Sequence, residues 1–556
     1  MGTGFSINSS SNLNANFSFD GKNILIVDDQ KPFQVMMRGM LKTMNAGTIS
    51  VAQSGEAAIL KCQETQYDII FIDYNLGAGR NGRQLFEEIK ERNLAPSSSI
   101  SILVTGEAQS TMVVGALETL PDDYIVKPFS QNLLLQRVSK AWAKKQVFVA
   151  FYNFMEKRQF DKAYVEINKL LTNYPRYKGI AFKYKAEVLL QLEKYDELEL
   201  YIDHFLEKKR VNWGLIYKAK VLKHKEKYLE AIRYAKEAVL QSKFNVSAYD
   251  VITDCYLNTD DIEYAYDWVK QGIDKSPFSV SRQYKLSAVA RLNRDFEASI
   301  KACNQVVDLT SSAFKKDYRH ILNHIRNIID ICDMESDTQK KRRYNQEAIY
   351  ALQKSKRESS SFSNFSQEEF ESICMARLDS VNGLSYKAKK DFFEFADQYE
   401  ESESNFPTEL LADSISLMMK IGEFDKAIEY SRQIKNAGVE LDDFTQRMIS
   451  EAQNSATANI KNVKLLNQKG IEQFTEGKLE EAASLFEKSL HIAPMNTGSA
   501  LNLLQALIAM IDKNPKQKWS LLERCKAVYK VVDGMPIAAH HEKRMKDLTD
   551  KFNQAQ

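Results

Sequence analysis

A single carboxylate, Asp73, follows the short apolar run 69–72 in the first part of the chain. Short apolar runs between polar residues are typical of strands that are buried on both faces. In an open parallel sheet, ligands and chemistry lie at the carboxyl ends of the strands, and a carboxylate placed there can act as a nucleophile. Three other short apolar runs end in polar residues that such a carboxylate would need, namely Asp28 with Asp29, Thr105, and Lys127.

The order of these strand ends is acid pair, lone acid, hydroxyl, lysine, and in that order the segment resembles the receiver domain of bacterial two-component response regulators. The resemblance covers residues 21–145. It implies an α/β fold of the flavodoxin-like, doubly wound kind, with a five-stranded parallel sheet of order 2-1-3-4-5. It also implies a set of roles: Asp73 as phosphoacceptor; Asp28, Asp29, Asp73 and the backbone carbonyl of Asn75 as ligands of Mg²⁺ or Mn²⁺; Thr105 and Lys127 as contacts of the phosphoryl group; Tyr124 as the switch aromatic.

The residue types suit these roles. Three crowded carboxylates repel one another, which raises their pKa values unless a cation enters, and a hard oxygen-seeking ion such as Mg²⁺ is the natural partner. Asp73 can then form an acyl phosphate, with Lys127 as a compact positive charge on a phosphate oxygen. The Thr105 hydroxyl would follow the phosphoryl group and leave space for Tyr124, a packing switch driven by a local charge.

Each residue taken alone has an ordinary structural explanation. Asp28 would be a helix N-cap, Thr105 a loop hydroxyl, Lys127 a surface charge and Tyr124 part of the core. We prefer the joint interpretation because spacing and strand context agree at all four strand ends.

Two positions depart from the family pattern. Gly77 stands where the family usually has proline, and Leu120-Pro121 replaces the usual Gly-Ala before the last strand. Neither change removes a pocket residue, so both bear on the stiffness of loops.

The rest of the chain has a different pattern. We expect residues 1–20 to be a disordered tail, because they are rich in Ser and Asn, and a last receiver helix from Gln131 to run through Trp142 towards Phe148. Beyond it, strand patterns vanish and paired amphipathic helices recur, with equivalent positions separated by 35, 33, 34 and 34 residues. That period resembles the tetratricopeptide repeat (TPR), a helix-turn-helix unit that stacks into an all-α solenoid. The aligned positions are Ala163, Leu198, Ala231, Ala265 and Ser299.

The repeat pattern divides the rest of the chain into three predicted regions. TPR-like repeats cover 146–314, an irregular helical region with a Ser/Phe-rich loop covers 315–410, and a C-terminal helical region covers 411–556. The repeat returns clearly in that last region, around Gly470 and Phe486. The pattern leaves open whether the array is continuous through 315–410.

Composition excludes several classes of protein. The 76 basic residues nearly balance the 74 acidic residues, without the excess that nucleic-acid binding usually needs. The six cysteines are widely spaced, which argues for a reducing compartment and against a disulfide framework or a zinc site. No apolar stretch is long enough to span a bilayer, and we predict a cytoplasmic location.

Other candidate sites are weaker. His320 and His324 would share one helix face, but the glutamate of a metalloprotease motif is missing, so we interpret them as a packed or solvated pair. His540 and His541 are adjacent and would face different ways, and the basic run 340–343 is typical of a solvated helix end. No pattern of an enzymatic output domain is present, and we predict that the protein is not an enzyme beyond accepting and losing its own phosphoryl group.

The predicted function is that of a phosphorelay response regulator. A histidine kinase or histidine phosphotransfer protein would phosphorylate Asp73 and thereby change the binding of an unknown protein target to the repeats. Two alternatives remain: a constitutive scaffold on which the receiver merely docks, and a phosphatase or phosphate sink for another regulator.

Overall fold

The computed structural model describes residues 17–77, 81–106, 121–310, 318–358, 366–401, 406–437, 441, 443–513, 517–533 and 539–555. The chain forms two compact units, residues 1–316 and 317–556. Among the described residues, none of the helices combines the length and the apolar character needed to cross a membrane.

The first unit contains a five-stranded, entirely parallel sheet in the order β2-β1-β3-β4-β5. This order confirms the predicted fold class. The strands are β1 (Ile24–Val27), β2 (Ile49–Ala52), β3 (Ile69–Asp73), β4 (Ile100–Thr105) and β5 (Asp123–Val126).

Helices cover both faces of the sheet. Alternate residues of β1 and β3 point into two separate hydrophobic clusters: Leu25 and Ile70 belong to one, Ile26 and Phe71 to the other. Because neither face meets water, the strands read as unbroken apolar runs. The described helices of this α/β part are α1 (Lys31–Thr43), α2 (Gly55–Glu64), α3 (Gly82–Glu91) and α4 (Gln131–Glu156).

The prediction of a disordered tail over residues 1–20 is wrong at its C-terminal end, where Phe17 and Phe19 pack in the fold. Phe19 is buried in the cluster beneath α1 and α4, and the ring of Phe17 packs against those of Phe19 and Trp142. Two aromatic side chains close together gain enough from burial to order the backbone between them. The remainder of the predicted tail, residues 1–16, lies outside the described residues.

Helix α4 belongs to two hydrophobic cores. Its first half contributes Leu134 and Val138 to the cluster on the sheet, and its second half contributes Phe148 and Phe151 to a helical cluster. The predicted boundary at residues 145 and 146 therefore falls inside one uninterrupted helix of 26 residues.

Helical hairpins follow α4 with the predicted period. In five successive hairpins, the second residue after the end of the first helix has a left-handed backbone, and these residues are 35, 33, 34 and 34 positions apart: Arg158, Glu193, Glu226, Asp260 and Arg294. The aligned residues Ala163, Leu198, Ala231, Ala265 and Ser299 are all fully buried. The helices are α5 (Phe160–Asn173), α6 (Lys178–Gln191), α7 (Tyr195–Lys208), α8 (Asn212–His224), α9 (Tyr228–Gln241), α10 (Val246–Asn258), α11 (Ile262–Lys275), α12 (Val280–Leu292) and α13 (Phe296–Thr310), with a 3₁₀ turn at Pro175–Tyr177.

The second unit is all-helical in its described residues. Gly470, in the segment where the repeat pattern returns, packs directly on Phe486. Of the predicted Ser/Phe-rich loop, Ser366 caps a helix, and 359–365 lie outside the described residues. The helices are α14 (Arg319–Met334), α15 (Thr338–Glu358), α16 (Gln367–Val381), α17 (Ser385–Glu401), α18 (Thr408–Ile421), α19 (Phe424–Ala437), α20 (Asp443–Thr475), α21 (Leu479–Ile492), α22 (Thr497–Lys513), α23 (Lys518–Tyr529) and α24 (Ala539–Ala555).

Candidate acidic site at the carboxyl edge of the sheet

Three carboxylates meet where β1 and β3 end. The pairing of Val27 with Ile72 brings the ends of both strands to the same edge. Carboxylate oxygens of Asp28, Asp29 and Asp73 lie within 4.8 Å of one another, and in the part of the chain that the structure describes this is the only such group of metal-binding side chains. Asp28 and Asp73 are buried, whereas Asp29 is exposed.

Lys127 links the two buried carboxylates. Its Nζ lies 2.7 Å from Asp28 Oδ2 and 3.0 Å from Asp73 Oδ2. The ammonium group also lies 3.8 Å from the centroid of the Phe33 ring, a position in which a cation is attracted to an aromatic face. Lys127 is thus held between two buried carboxylates and is not a free surface charge.

The surroundings of Asp28 exclude its role as a helix N-cap. The N-cap of α1 is Gln30, whose side chain makes no capping bond. Asp28 instead accepts a 2.8 Å hydrogen bond at Oδ1 from the Gln30 amide, and its backbone carbonyl accepts one from Gln34 Nε2. The first bond occupies Oδ1 of the carboxylate and the second holds the backbone, while the other carboxylate oxygen, Oδ2, accepts from Lys127.

Asp73 has an unusual proton affinity. Burial raises the pKa of its carboxyl to about 6, and the charges of Asp28 and Asp29 add to the rise, while Lys127 opposes it. A carboxylate in this environment gains from any additional positive charge, because one lysine does not balance three acids.

The loop after β3 approaches Asp73 very closely. A Cβ atom at Gly82 would lie 2.0 Å from the backbone oxygen of Asp73, and the Gly82 amide donates a 2.8 Å hydrogen bond to the Tyr74 carbonyl. Gly77 has a φ of +71°, which proline cannot adopt. Glycine at position 77 therefore suits a backbone conformation that the proline usual in the family could not adopt. Asn75 lies in the same loop and is exposed.

Thr105 and Tyr124 occupy the neighbouring strands. Thr105 ends β4 and is buried, and its backbone carbonyl accepts a 2.8 Å hydrogen bond from the Lys127 amide. Tyr124 is half-buried in β5 and packs against the cluster that contains Leu103. Of the second predicted departure, Leu120 lies outside the described residues.

Four further residues that build this site are not predicted by the sequence pattern. Phe33 contacts Lys127, and Gln34 bonds to the Asp28 backbone. Gly82 permits the close approach to Asp73, and Arg137 of α4 contacts Tyr124. Of these four, only Gly82 stands in a recognisable local pattern, because it follows Asn81 in the capping pattern Asn-x-x-Gln that begins α3.

The other candidate residues lie in the second unit, on helix α14 or later elements. Burial lowers the pKa of His324 to about 4, so its ring is neutral at physiological pH. His320 lies one turn earlier in the same helix. The basic run 340–343 lies in the first turns of α15 and is largely exposed, and residues 540–541 begin α24.

Known proteins match the first part of the chain. The family model for the response regulator receiver domain matches residues 24–139. The transcriptional regulatory protein ResD of Bacillus subtilis is 32% identical over 130 residues, covering 23% of this chain and 51% of ResD. The chemotaxis protein CheY of Listeria monocytogenes is 29% identical over 118 residues, covering 21% of this chain and 96% of CheY.

Among solved structures, a CheY-like receiver domain from Methanospirillum hungatei is 25% identical, covers 22% of this chain and 96% of its own, and gives a TM-score of 0.21. The family match, the sheet order and the acidic edge together show that residues 24–139 are a response regulator receiver domain. The chain spans only about half the length of ResD. The matches concern the receiver, and beyond it the described chain is all-helical.

Proposed function

We propose that Asp73 is phosphorylated and that the phosphoryl group controls binding of a protein partner by the helical hairpins. The observation that carries the proposal is the buried pair Asp28 and Asp73 joined by Lys127. An oxygen of Asp73 attacks the phosphorus of a donor, a P–O bond to Asp73 forms, and the bond to the leaving group breaks. The leaving group keeps the electron pair of that bond. Lys127 then has a phosphoryl oxygen within reach, because it already contacts the Asp73 carboxylate.

The donor set fits a divalent cation. Asp28, Asp29 and Asp73 offer only oxygen atoms, and these lie close enough to share one ion. Mg²⁺, or Mn²⁺ in its place, prefers such ligands and retains waters that a phosphoryl oxygen can replace. When bound, the ion would neutralise negative charge on the attacking and transferred oxygens. The backbone carbonyl of Asn75, in the adjacent loop, is proposed as a further ligand.

The donor is proposed to be a histidine kinase or a histidine phosphotransfer protein, as receiver domains generally require. Thr105 and Tyr124 are proposed to respond to the phosphoryl group. Their positions support this, since Thr105 pairs with Val126, directly before Lys127, and Tyr124 lies in the same strand as Val126.

The hairpins α4 to α13 are proposed to be TPR-type repeats that bind the target. Their period and their buried small residues support the proposal. Solenoids of this kind commonly bind an extended peptide or a helix. Helix α4 supports a coupling between the two functions, because it packs in the receiver core and in the first hairpin core.

A first experiment tests phosphorylation. The full chain is incubated with acetyl phosphate and Mg²⁺, and its intact mass is measured under native conditions. We expect the mass of one phosphoryl group to be added to the wild type and none to Asp73→Ala. Absence of the increase in the wild type, or its presence in the variant, contradicts the assignment.

A second experiment separates a switch from a constitutive scaffold. The scaffold has support of its own, since the hairpins carry separate hydrophobic clusters that do not include the acidic site. Partner proteins captured by the wild type and by Asp73→Asn are compared in the presence of acetyl phosphate and Mg²⁺. A difference in capture supports the switch, and equal capture supports the scaffold.

A further inference from the structure

The first helix turn after the phosphoacceptor loop contacts the far end of the hairpin array. Gln84 Nε2 donates a 2.9 Å hydrogen bond to the backbone carbonyl of Leu309, in the last turn of α13. Both residues belong to the first compact unit, and 225 positions separate them in sequence. In the described residues, the receiver therefore contacts the array near both of its ends, through α4 at its start and through Gln84 at its end.

Gln84 uses its two amide atoms for two different tasks. Its Oε1 accepts a 3.0 Å hydrogen bond from the Asn81 amide, which completes the capping box at the start of α3. Its Nε2 is the donor to Leu309. The last four carbonyls of a helix lack partners within that helix, so Gln84 satisfies one carbonyl of α13 from another part of the fold.

The same face of α3 is covered beyond this bond. Gln84, Glu88 and Arg92 are spaced four residues apart, so they form one stripe along the helix. Glu88 is only 4% exposed, and it accepts a 2.9 Å hydrogen bond from Arg92 Nη1. A buried glutamate is unusual, and here the Arg92 guanidinium group supplies its positive partner.

Gln84 is also connected to the backbone of the phosphoacceptor through Gly82. Gly82, two residues earlier, packs on the backbone of Asp73 so tightly that no side chain fits between them. A movement of the Asp73 backbone must therefore move the start of α3. Because the start of a helix attracts negative charge, a phosphoryl group on Asp73 would draw this end of α3 towards the pocket.

We propose that the bond between Gln84 and Leu309 is a clasp that closes the hairpin array on the receiver and that phosphorylation of Asp73 releases it. This inference rests on the proposed phosphorylation of Asp73. The arrangement seen here, in which Lys127 contacts the free Asp73 carboxylate, is the clasped one. Linkage is reciprocal, so loss of the clasp must in turn favour phosphorylation.

Three substitutions separate the two tasks of Gln84. Gln84→Glu keeps the acceptor for the capping box but replaces the donor with a carboxylate that faces a carbonyl at the negative end of α13. Gln84→Ala removes both functions. Asn81→Ala removes the side chain that caps the Gln84 amide and leaves the donor in place, so it is the control for helix capping alone.

The experiment measures two quantities on the full chain with acetyl phosphate and Mg²⁺. The first is the ratio of phosphorylated to unphosphorylated chain at steady state, by intact mass, which we expect to rise about fivefold or more in Gln84→Glu and to stay near wild type in Asn81→Ala. The second is amide hydrogen exchange in peptides covering 82–91 and 296–310. We expect the phosphodonor to increase exchange in these peptides in the wild type but not in Asp73→Asn. In Gln84→Glu, exchange should be high even without the phosphodonor.

The outcomes distinguish the two proposals. If the wild type takes up no phosphoryl group, the proposed function fails. If it does, but Gln84→Glu has the wild-type ratio of phosphorylated to unphosphorylated chain and exchange in 296–310 is unchanged by the phosphodonor, the clasp is wrong and the function stands. A result in Asn81→Ala equal to that in Gln84→Glu would assign the effect to helix capping and also overturn the clasp.

Discussion

Arg137 Nη2 donates a 2.7 Å hydrogen bond to the backbone carbonyl of Tyr124. The same nitrogen lies 2.6 Å from Asp123 Oδ1, and the guanidinium group lies 5.4 Å from the centroid of the Tyr124 ring. Arg137 thus connects the last strand of the sheet to α4, the helix that also packs in the first hairpin core. A change at Tyr124 would reach the hairpins through a rigid element.

We expect Arg137→Met to lower the free energy of unfolding by about 1–3 kcal/mol, because it leaves the part-buried Asp123 carboxylate without its closest cation. Urea unfolding of the full chain measures this loss. Gln136→Met, on an exposed position of the same helix, is the matched control and should change stability by less than about 0.5 kcal/mol. Equal effects of the two substitutions would mean that the contacts of Arg137 contribute nothing specific.

Asp73 gives stability a pH dependence with a defined sign. Burial raises the pKa of its carboxyl to about 6, above the ordinary value, so the folded chain holds this proton more tightly than the unfolded chain. The resulting stabilisation is complete below about pH 4 and is lost as the pH rises through about 6. We expect Asp73→Asn to be more stable than the wild type by about 1–3 kcal/mol above pH 7, with the difference vanishing near pH 4. Urea titrations without divalent cations measure it, and a pH-independent difference would contradict the assignment.

The same pKa predicts the pH dependence of phosphorylation. Only the deprotonated carboxylate is a nucleophile, so without further cations the reactive fraction of Asp73 rises as the pH passes through about 6. A bound divalent cation favours the charged form and shifts this midpoint to lower pH. Initial rates with acetyl phosphate between about pH 5 and 8, at low and saturating Mg²⁺, test both statements. A midpoint that Mg²⁺ does not move would argue against a cation at the three carboxylates.

Gly82 is predicted to be irreplaceable. Its missing side chain permits the contact with the Asp73 backbone, and backbone atoms cannot move aside as a flexible side chain does. We expect Gly82→Ala to cost about 2–4 kcal/mol of unfolding free energy and to slow phosphorylation, because it displaces Asp73. Gly39→Ala is the control, since Gly39 lies within α1 with no atom near its Cβ position. It should gain up to about 1 kcal/mol from helix propensity, and a similar gain at Gly82 would contradict the close contact.

The sheet and its acidic edge were predictable because the information is local. Strands buried on both faces need unbroken apolar runs, and in a parallel sheet the residue after each run is delivered to the same edge. Asp28 and Asp73 could therefore be placed together without any knowledge of loops. The helical hairpins were predictable for a related reason, since a repeated contact leaves a repeated residue type, as at Ala163 and Ala231.

Other features depend on contacts that no local pattern encodes. Phe17 and Phe19 look like part of a polar tail until α4 supplies Trp142 as a neighbour. The sequence pattern also does not show that one helix, α4, belongs to two hydrophobic cores, because each half of the helix has its own apolar face. The bond from Gln84 to Leu309 joins residues 225 positions apart, and neither residue type is unusual where it stands.

The contact between Gly470 and Phe486 tests whether the second unit contains a repeat of the predicted kind. A Cβ atom at Gly470 would lie 2.4 Å from Cε1 of the Phe486 ring, and the ring is only 2% exposed, so it has no free space to enter. We expect Gly470→Ala to destabilise this unit by about 1–3 kcal/mol through overpacking. Gly179→Ala, at a helical position with open space around it, should not destabilise the chain.

A second substitution makes this contact testable as a pair. Phe486→Leu removes part of the ring and makes room for a methyl group at position 470, although alone it costs stability because it leaves a cavity. If the two residues touch as described, the double variant should lose less stability than the sum of the two single losses, by about 1 kcal/mol or more. Urea unfolding of the four proteins gives this coupling energy. Strict additivity would show that the helices α20 and α21 do not pack through these residues, and the repeat in the second unit would then lack its central contact.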